Sequence, residues 1–245
     1  MTNSILIDED TAIGLIPARG GSKSIPLKNL APVGGKPLIR FVIDAALGSR
    51  SFVKTYCSTD HDHIARTCLE AGVEIIERPA ELGLDDTPVT AVILHALETL
   101  RQHSGRMPGM VALLQPTSPF LLPSQIHECL AALRANSEAD SVQTVAPVFH
   151  NAHAFNQRVM VDGLVQFRFP KERKEAYNKQ RKPKHYTFGN LVITRTRALL
   201  DGQDCFGKIS VPVEIPRAYA LDVDTSEDLD YANFLVSNHR IELTA

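Results

Sequence analysis

The sequence contains no tryptophan, and aromatic residues make up only 6% of it. It has four cysteines, Cys57, Cys68, Cys129 and Cys205, and no two form a C-x-x-C pair, which argues against a zinc knuckle. No pair among the nine histidines shows zinc spacing with a third partner. Cys68 and Cys129 fall in expected helices and read as small core hydrophobes rather than nucleophiles. No apolar run reaches the roughly eighteen residues of a membrane-spanning helix. Neither sign of charge dominates: 26 Lys and Arg against 28 Asp and Glu leave a net charge of -2, which gives no bulk attraction for nucleic acid or anionic lipid. The first ten residues carry Asp8, Glu9 and Asp10 and no basic-then-apolar leader pattern, so the expected location is cytoplasmic. Two familiar phosphate loops are also missing. There is no Walker A spacing and no Gly-x-Gly-x-x-Gly, and the second absence counts against a dinucleotide-dependent oxidoreductase.

What is present is alternation. Apolar runs at 12–16, 53–58, 73–76, 110–115 and 141–145 read as strands. Between them, 37–47, 61–71 (closed by Gly72), 88–101 and 124–136 (capped by Ser124) have helical spacing. A strand–helix alternation predicts an α/β fold, doubly wound, with a mostly parallel sheet and helices on both faces. At 245 residues and 44% hydrophobic content, one domain spanning 1–245 is expected. The pattern changes after Val148. Residues 155–169 read as two short strands around Asp162-Gly163, a hairpin signal. Residues 168–184 hold eight Lys or Arg and two Glu. The stretch of about 148–190 therefore reads as a small inserted subdomain. Strands at 186–194, 211–215 and 220–223 and a helix over 226–238, capped by Thr225 or Ser226, complete the prediction.

The richest segment is Leu15-Ile16-Pro17-Ala18-Arg19-Gly20-Gly21-Ser22-Lys23-Ser24-Ile25-Pro26-Leu27-Lys28-Asn29. A buried strand delivers a turn whose glycines let backbone N–H groups approach an anion. Arg19, Lys23 and Lys28 surround that turn, and three cations there have no purpose in core formation. A polyphosphate fits them. In open α/β sheets ligands lie beyond the carboxyl ends of strands. Arg19, Asp60, Gln115, Asp222 and Asp224 all fall at such ends.

This loop resembles the opening motif of the N-acylneuraminate (sialic acid) cytidylyltransferases, Ile-Pro-Ala-Arg-Gly-Gly-Ser-Lys-x-x-Pro-x-Lys-Asn. The resemblance implies a Rossmann-like nucleotidyltransferase fold. It also implies nucleotide contacts from Ala18, Arg19, Gly20, Gly21, Ser22, Lys23 and Asn29, with Arg19, Lys23 and Lys28 acting on the triphosphate. A second string, Leu113-Leu114-Gln115-Pro116-Thr117-Ser118-Pro119, is similar to the family's sugar-pocket segment and implies substrate contacts from Gln115, Thr117 and Ser118. Gln115 offers both a donor and an acceptor to hydroxyls or a carboxylate. The third, Leu221-Asp222-Val223-Asp224, places two carboxylates at i and i+2, on one side of an extended segment. That pair suits a hard cation, and the family has its metal there, which implies Mg²⁺ held by Asp222 and Asp224. Ser58-Thr59-Asp60 resembles the family's nucleotide-side segment, and Asp60 equally suits the N-cap of the following helix. Pro79-Ala80-Glu81-Leu82, Asp85-Asp86-Thr87 and His95-Ala96-Leu97 also resemble the family, with the Asp-Thr step displaced by one residue.

The likeness thins at Tyr186-Thr187-Phe188-Gly189-Asn190, where the family has Arg-x-Asn-Gly. Lys179 or Arg181 then stands in for a substrate-binding arginine, and the basic segment serves either as a lid or as a solvated loop. The function implied is transfer of CMP from CTP to the anomeric hydroxyl of a sialic-acid-like 2-keto sugar acid, with release of pyrophosphate. The alternatives are a cytidylyltransferase for another acid (legionaminate, an octulosonate, a phosphonate), a glycosyltransferase, or an inactive nucleotide-binding regulator. The partners expected are CTP, an acidic sugar and, from the resemblance, a second copy in a homodimer.

Overall fold

The computed structural model describes residues 5–243 apart from Tyr177. Seven strands form the main sheet: β1 (Leu6–Pro17), β2 (Lys54–Thr59), β3 (Glu74–Glu77), β4 (Arg106–Leu113), β5 (Ser141–Pro147), β6 (Tyr186–Arg195) and β7 (Ser210–Glu214). Their spatial order is β3-β2-β1-β4-β6-β5-β7. Neighbours are parallel except at β6, which runs antiparallel to both β4 and β5. The helices are α1 (Leu38–Ser49), α2 (Asp62–Glu70), α3 (Val89–Ser104), α4 (Pro123–Ala135), α5 (Pro170–Glu175), α6 (Thr196–Leu200) and α7 (Ser226–Ser237).

The near-continuous apolar run of β1 has a simple reason. Side chains alternate across a sheet, and both faces here are covered. Ile16, Ala112 and Ile193 point to one face, against α1, α2 and α4 through Ile39, Ile43, Ile64, Ile126 and Leu130. Ile13, Leu15 and Val111 point to the other, against α3 and α6 through Ile93, Leu97 and Leu199. All four cysteines lie buried and unpaired in these layers, and burial pushes the Cys129 thiol up to about 12. That fits the expectation that Cys68 and Cys129 pack as small core hydrophobes.

A third apolar cluster stabilises the edge of the site. Ile25 from the cationic loop meets Val33, Leu38, Phe41, Phe120, Val223, Ala232 and Leu235. The phosphate-type loop and the Asp-x-Asp segment are therefore anchored in one core, although some 200 residues separate them in sequence.

Three local expectations differ from the structure. Residues 220–223 form no strand; they run as irregular chain held by the Val223 N–H donating to the Thr117 carbonyl at 2.8 Å. Helix α4 begins one residue before Ser124, with Pro123 in its first turn and Leu122 in the N-cap position. Proline tolerates that first turn because its missing N–H has no helical partner there. Strand β1 starts at Leu6 because its first residues pair with Arg106–Pro108 before a register shift between Asp8 and Ala12.

Between β5 and β6 the chain forms three-residue helical turns, helix α5 and an antiparallel hairpin of Arg158–Val161 with Leu164–Phe167. Asp162 and Gly163 close that hairpin at φ 50° and 77°, the left-handed pair that a two-residue turn of this kind needs. The hairpin exposes Met160 (82%), Leu164 (66%) and Val165 (64%).

Candidate active site

Strand β1 ends at Pro17, and the chain crosses to its neighbour at once: the Ala18 N–H donates to the Ser58 carbonyl at 3.0 Å. Arg19 follows. Its Nη2 lies 2.6 Å from Asp85 Oδ1, and its Nη1 donates to the Gly83 carbonyl at 3.2 Å. Lys23 Nζ meets the other oxygen of the same carboxylate at 2.6 Å. The two cations hold the Asp85 carboxyl below the usual carboxylate range, Lys23 contributing most and Arg19 next.

Asp60 serves a different purpose from the helix cap that suited it in sequence. Its Oδ1 accepts the Gly20 N–H at 2.8 Å, and His61 takes the N-cap position of α2. An ideal Cβ on Gly20 would stand 2.6 Å from the His61 ring, so only glycine fits between this ring and the loop. Gly21 faces open space, with Ser22 half-buried beside it. Asn29 is almost fully buried and donates from Nδ2 to the Arg19 carbonyl at 2.9 Å, which fixes the base of the loop. Leu27, at φ 49°, occupies the left-handed region that a branched side chain rarely adopts. The residue it presents next is Lys28.

Lys28 Nζ reaches Asp224 Oδ1 at 2.9 Å, and Ser24 Oγ donates to the Asp224 carbonyl at 2.6 Å. The cationic loop therefore closes onto the Asp-x-Asp segment. Val223 is fully buried, while Asp222 and Asp224 on either side of it face outward. The expected alternation is thus achieved without a partner strand. Desolvation raises the Asp222 carboxyl pKa above its ordinary value, and repulsion from Asp224 adds to the rise; a hydrogen bond with Thr117 and the charge of Lys28 oppose it. Thr225 caps α7 by accepting the Asp228 N–H at 3.2 Å, and the Asp228 carboxylate accepts the Thr225 N–H at 2.8 Å in return. That reciprocal pair removes any need for Asp222 or Asp224 to act as the cap.

Gln115, half-buried, begins the turn after β4, and its carbonyl accepts the Ser118 N–H at 3.0 Å. Thr117 joins the Asp222 segment through its backbone and its side chain, while Ser118 is buried in the turn. Arg181 lies on the turn Lys179–Arg181 between β5 and β6, its N–H donating to Asn178 Oδ1 at 3.0 Å. The Lys179 side chain lies outside the described residues. A hollow of about 400 Å³ at the base of this segment is lined by His150, His153, His185, Lys182, Lys184 and Arg217 and by the acidic Glu214, at the carboxyl ends of β5 and β7.

Three residues of this neighbourhood escaped the sequence reading. Asp85 bridges two of the loop cations. Ser24 ties the loop to Asp224. Arg78 is buried, donates to the Ser58 carbonyl at 2.7 Å and lines a cleft of about 940 Å³ with Asp60, His61, Pro79 and Gly83. The Glu77-Arg78-Pro79 step at the end of β3 was its only signal. Among the described residues no group of three or more His, Cys, Asp or Glu side chains is placed to hold a metal, so any cation here would rest on the Asp222 and Asp224 pair plus oxygens from a ligand. No helix among them is long and apolar enough to cross a membrane.

The profile of the cytidylyltransferase family matches residues 13–209. The chain is 28% identical over 220 residues to the N-acylneuraminate cytidylyltransferase of Escherichia coli, covering 90% of this chain and 51% of that protein. It is 28% identical over 230 residues to the pseudaminic acid cytidylyltransferase of Campylobacter jejuni, covering 92% and 96%. The chain thus spans about half of the Escherichia coli relative and nearly all of the Campylobacter one. Among solved structures, a CMP:2-keto-3-deoxy-manno-octonic acid synthetase complexed with CTP superposes with a TM-score of 0.69 at 17% identity, over 94% of this chain and 99% of that one. The 4-diphosphocytidyl-2C-methyl-D-erythritol synthase of Anaerococcus prevotii gives 0.61 at 15%, over 94% and 100%. These two likenesses concern the fold.

Proposed function

The chain belongs to the cytidylyltransferase family, and from that premise we propose that it transfers CMP from CTP to the anomeric hydroxyl of a sialic-acid-like 2-keto sugar acid. The hydroxyl oxygen bonds to the α-phosphorus, and the bond to the α–β bridging oxygen breaks. Its electron pair leaves with pyrophosphate, and the hydroxyl proton passes to solvent. Such a reaction asks the protein mainly to position groups and to neutralise charge. Arg19, Lys23 and Lys28 bind the phosphates, with backbone N–H groups from Gly21 and Ser22. Asp222 and Asp224 would hold Mg²⁺, which would supply charge neutralisation for the phosphates. The fit of these two carboxylates to a cation rests on the donor set itself: two hard oxygen ligands exposed on either side of the buried Val223.

The single observation that carries this reading is the contact between Lys28 and Asp224, because it brings the cationic loop against the Asp-x-Asp carboxylates. The acceptor reading rests on the sugar acids of the named relatives, on Thr117 beside Asp222 and on the half-buried Gln115; Ser118, buried in the turn, is left out of it. The basic hollow at the foot of the 148–190 segment supplies further positive charge for an acid, and that segment, as a subdomain, pairs two copies through its apolar hairpin. A different acid as acceptor is favoured by one finding. Asn190 is fully buried and bonds Thr144, Gln125 and the Tyr219 carbonyl, so it faces the interior rather than a ligand.

The test is pyrophosphate release from CTP and Mg²⁺ across a panel of 2-keto sugar acids that includes octulosonate and legionaminate, with ATP, GTP and UTP as controls. Release with CTP and a sialic-type acid is the expected result. Release only with another acid replaces the acceptor, and silence across the panel with CTP still bound refutes the proposed reaction.

A further inference from the structure

The Asp85 carboxylate makes the contacts that a phosphate group would make in the reading above, on which this inference rests. One oxygen meets Arg19 and the other meets Lys23, each at 2.6 Å. A carboxylate chelated by two cations is geometrically close to one face of a phosphoryl group. Arg19 grips the same segment a second time through the Gly83 carbonyl. A polyphosphate that reaches both cations must therefore replace Asp85.

The segment that carries Asp85 is built to be replaced. It runs from the turn Ala80–Leu82 to the start of α3, and Pro79 and Pro88 bracket it. Leu84 beside Asp85 is 59% exposed, and the side chains of Asp85 and Lys23 are 45% and 84% exposed. Exposed ion pairs are individually weak, so each holds its partner in place without binding it tightly. Backbone bonds within the segment are local, and the Thr87 hydroxyl donates to the Glu81 carbonyl at 3.3 Å, so the segment can move as a unit.

We propose that Asp85 is an internal competing anion for the phosphate clamp. It keeps Arg19 and Lys23 aimed at the cleft, yields to the polyphosphate of the nucleotide, and returns as pyrophosphate leaves. It is a positioning residue that sets how tightly polyphosphates bind and how fast they depart. The displacement is common to every ligand that engages both cations, so its effect on affinity is the same for pyrophosphate and for CTP.

The experiment is calorimetric titration of pyrophosphate, and separately of CTP, into the wild type, Asp85→Asn and Asp86→Asn at one ionic strength, with pyrophosphate dissociation followed by stopped flow. Asp86→Asn removes the same charge one residue away, where no cation among the described residues is paired with it. The expected result for Asp85→Asn is tighter binding of both ligands by a common factor between about three-fold and thirty-fold, with slower pyrophosphate release, and a change under about two-fold for Asp86→Asn. Unchanged or weaker pyrophosphate binding in Asp85→Asn overturns the proposal, as does equal tightening in Asp86→Asn. Tighter pyrophosphate binding in a protein that turns over no nucleotide leaves the inference standing and removes the proposed activity. Turnover with CTP in a protein whose pyrophosphate affinity ignores Asp85→Asn removes the inference alone.

Discussion

Gly20→Ala is the sharpest probe of the loop. A Cβ at this position would stand 2.6 Å from His61 Cδ2 and 2.9 Å from both Cβ and Cγ of that residue. Carbon atoms in good contact lie about 3.5–4.0 Å apart, so roughly 1 Å of clearance must be found. His61 is poorly placed to give it. Its backbone N–H donates to Thr59 Oγ1 at 3.2 Å, and its ring neighbours that of His63 with centroids 5.6 Å apart. The loop must move instead, carrying Arg19 with it and stretching the 2.8 Å bond from Gly20 to Asp60. A misplacement near 1 Å costs on the order of 100-fold in rate, or about 2.7 kcal/mol. The assay is kcat/KM for CTP, beside a thermal melt to confirm folding. His61→Gly in the same chain removes the obstacle at an N-cap position where glycine costs only a few tenths of a kcal/mol. The double variant should recover most of the lost rate. A Gly20→Ala enzyme with wild-type kcat/KM would refute the argument, and so would a double variant no better than the single one.

Other perturbations address the remaining parts. Arg19→Ala should lower kcat/KM for CTP by about 2–4 kcal/mol of transition-state stabilisation, with a melting temperature close to wild type; steady-state kinetics and calorimetry check both. Asp224→Asn should remove Mg²⁺-dependent turnover and leave the far-ultraviolet circular dichroism unchanged, and full activity at limiting Mg²⁺ would take Asp224 out of the metal site. The Asp222 carboxyl titrates above its unfolded value, so its favourable contribution to stability is full below the unfolded pKa and is lost as pH rises through the folded one. Asp222→Asn should therefore raise the melting temperature near neutral pH while weakening Mg²⁺ binding; a melting temperature that falls contradicts this sign. Met160→Glu, on the exposed hairpin, should convert a dimer to a monomer in size-exclusion chromatography with light scattering.

Features set by local chemistry were legible in the sequence. The glycine and cation loop, the Asp-x-Asp spacing, the Asp162-Gly163 turn and the helix and strand alternation each follow from neighbours a few residues apart. What escaped depended on distant partners. Asp60 suited equally a helix cap and the nucleotide side, and the sequence could not separate them; the Gly20 N–H that takes its carboxylate lies 40 residues away. Residues 220–223 had strand propensity and no strand beside them, so the backbone bonded the turn after β4 instead. Ser124 had the chemistry of a cap, and Pro123 moved the helix start ahead of it. Asp85 was visible only as a displaced copy of a motif, because its meaning lies in two cations more than 60 residues upstream.

The reversed direction of β6 has a consequence for how such a protein diversifies. Pro147 at the end of β5 lies opposite Tyr186 at the start of β6, so the connecting chain leaves and re-enters the sheet at a single point. A segment attached this way can lengthen, shorten or change charge without shifting any strand register. Loop closure penalises added length only slowly. The glycine and cation loop, rooted at β1, is mechanically insulated from such changes. One part of the strand-end surface is thereby free to drift while the other stays fixed.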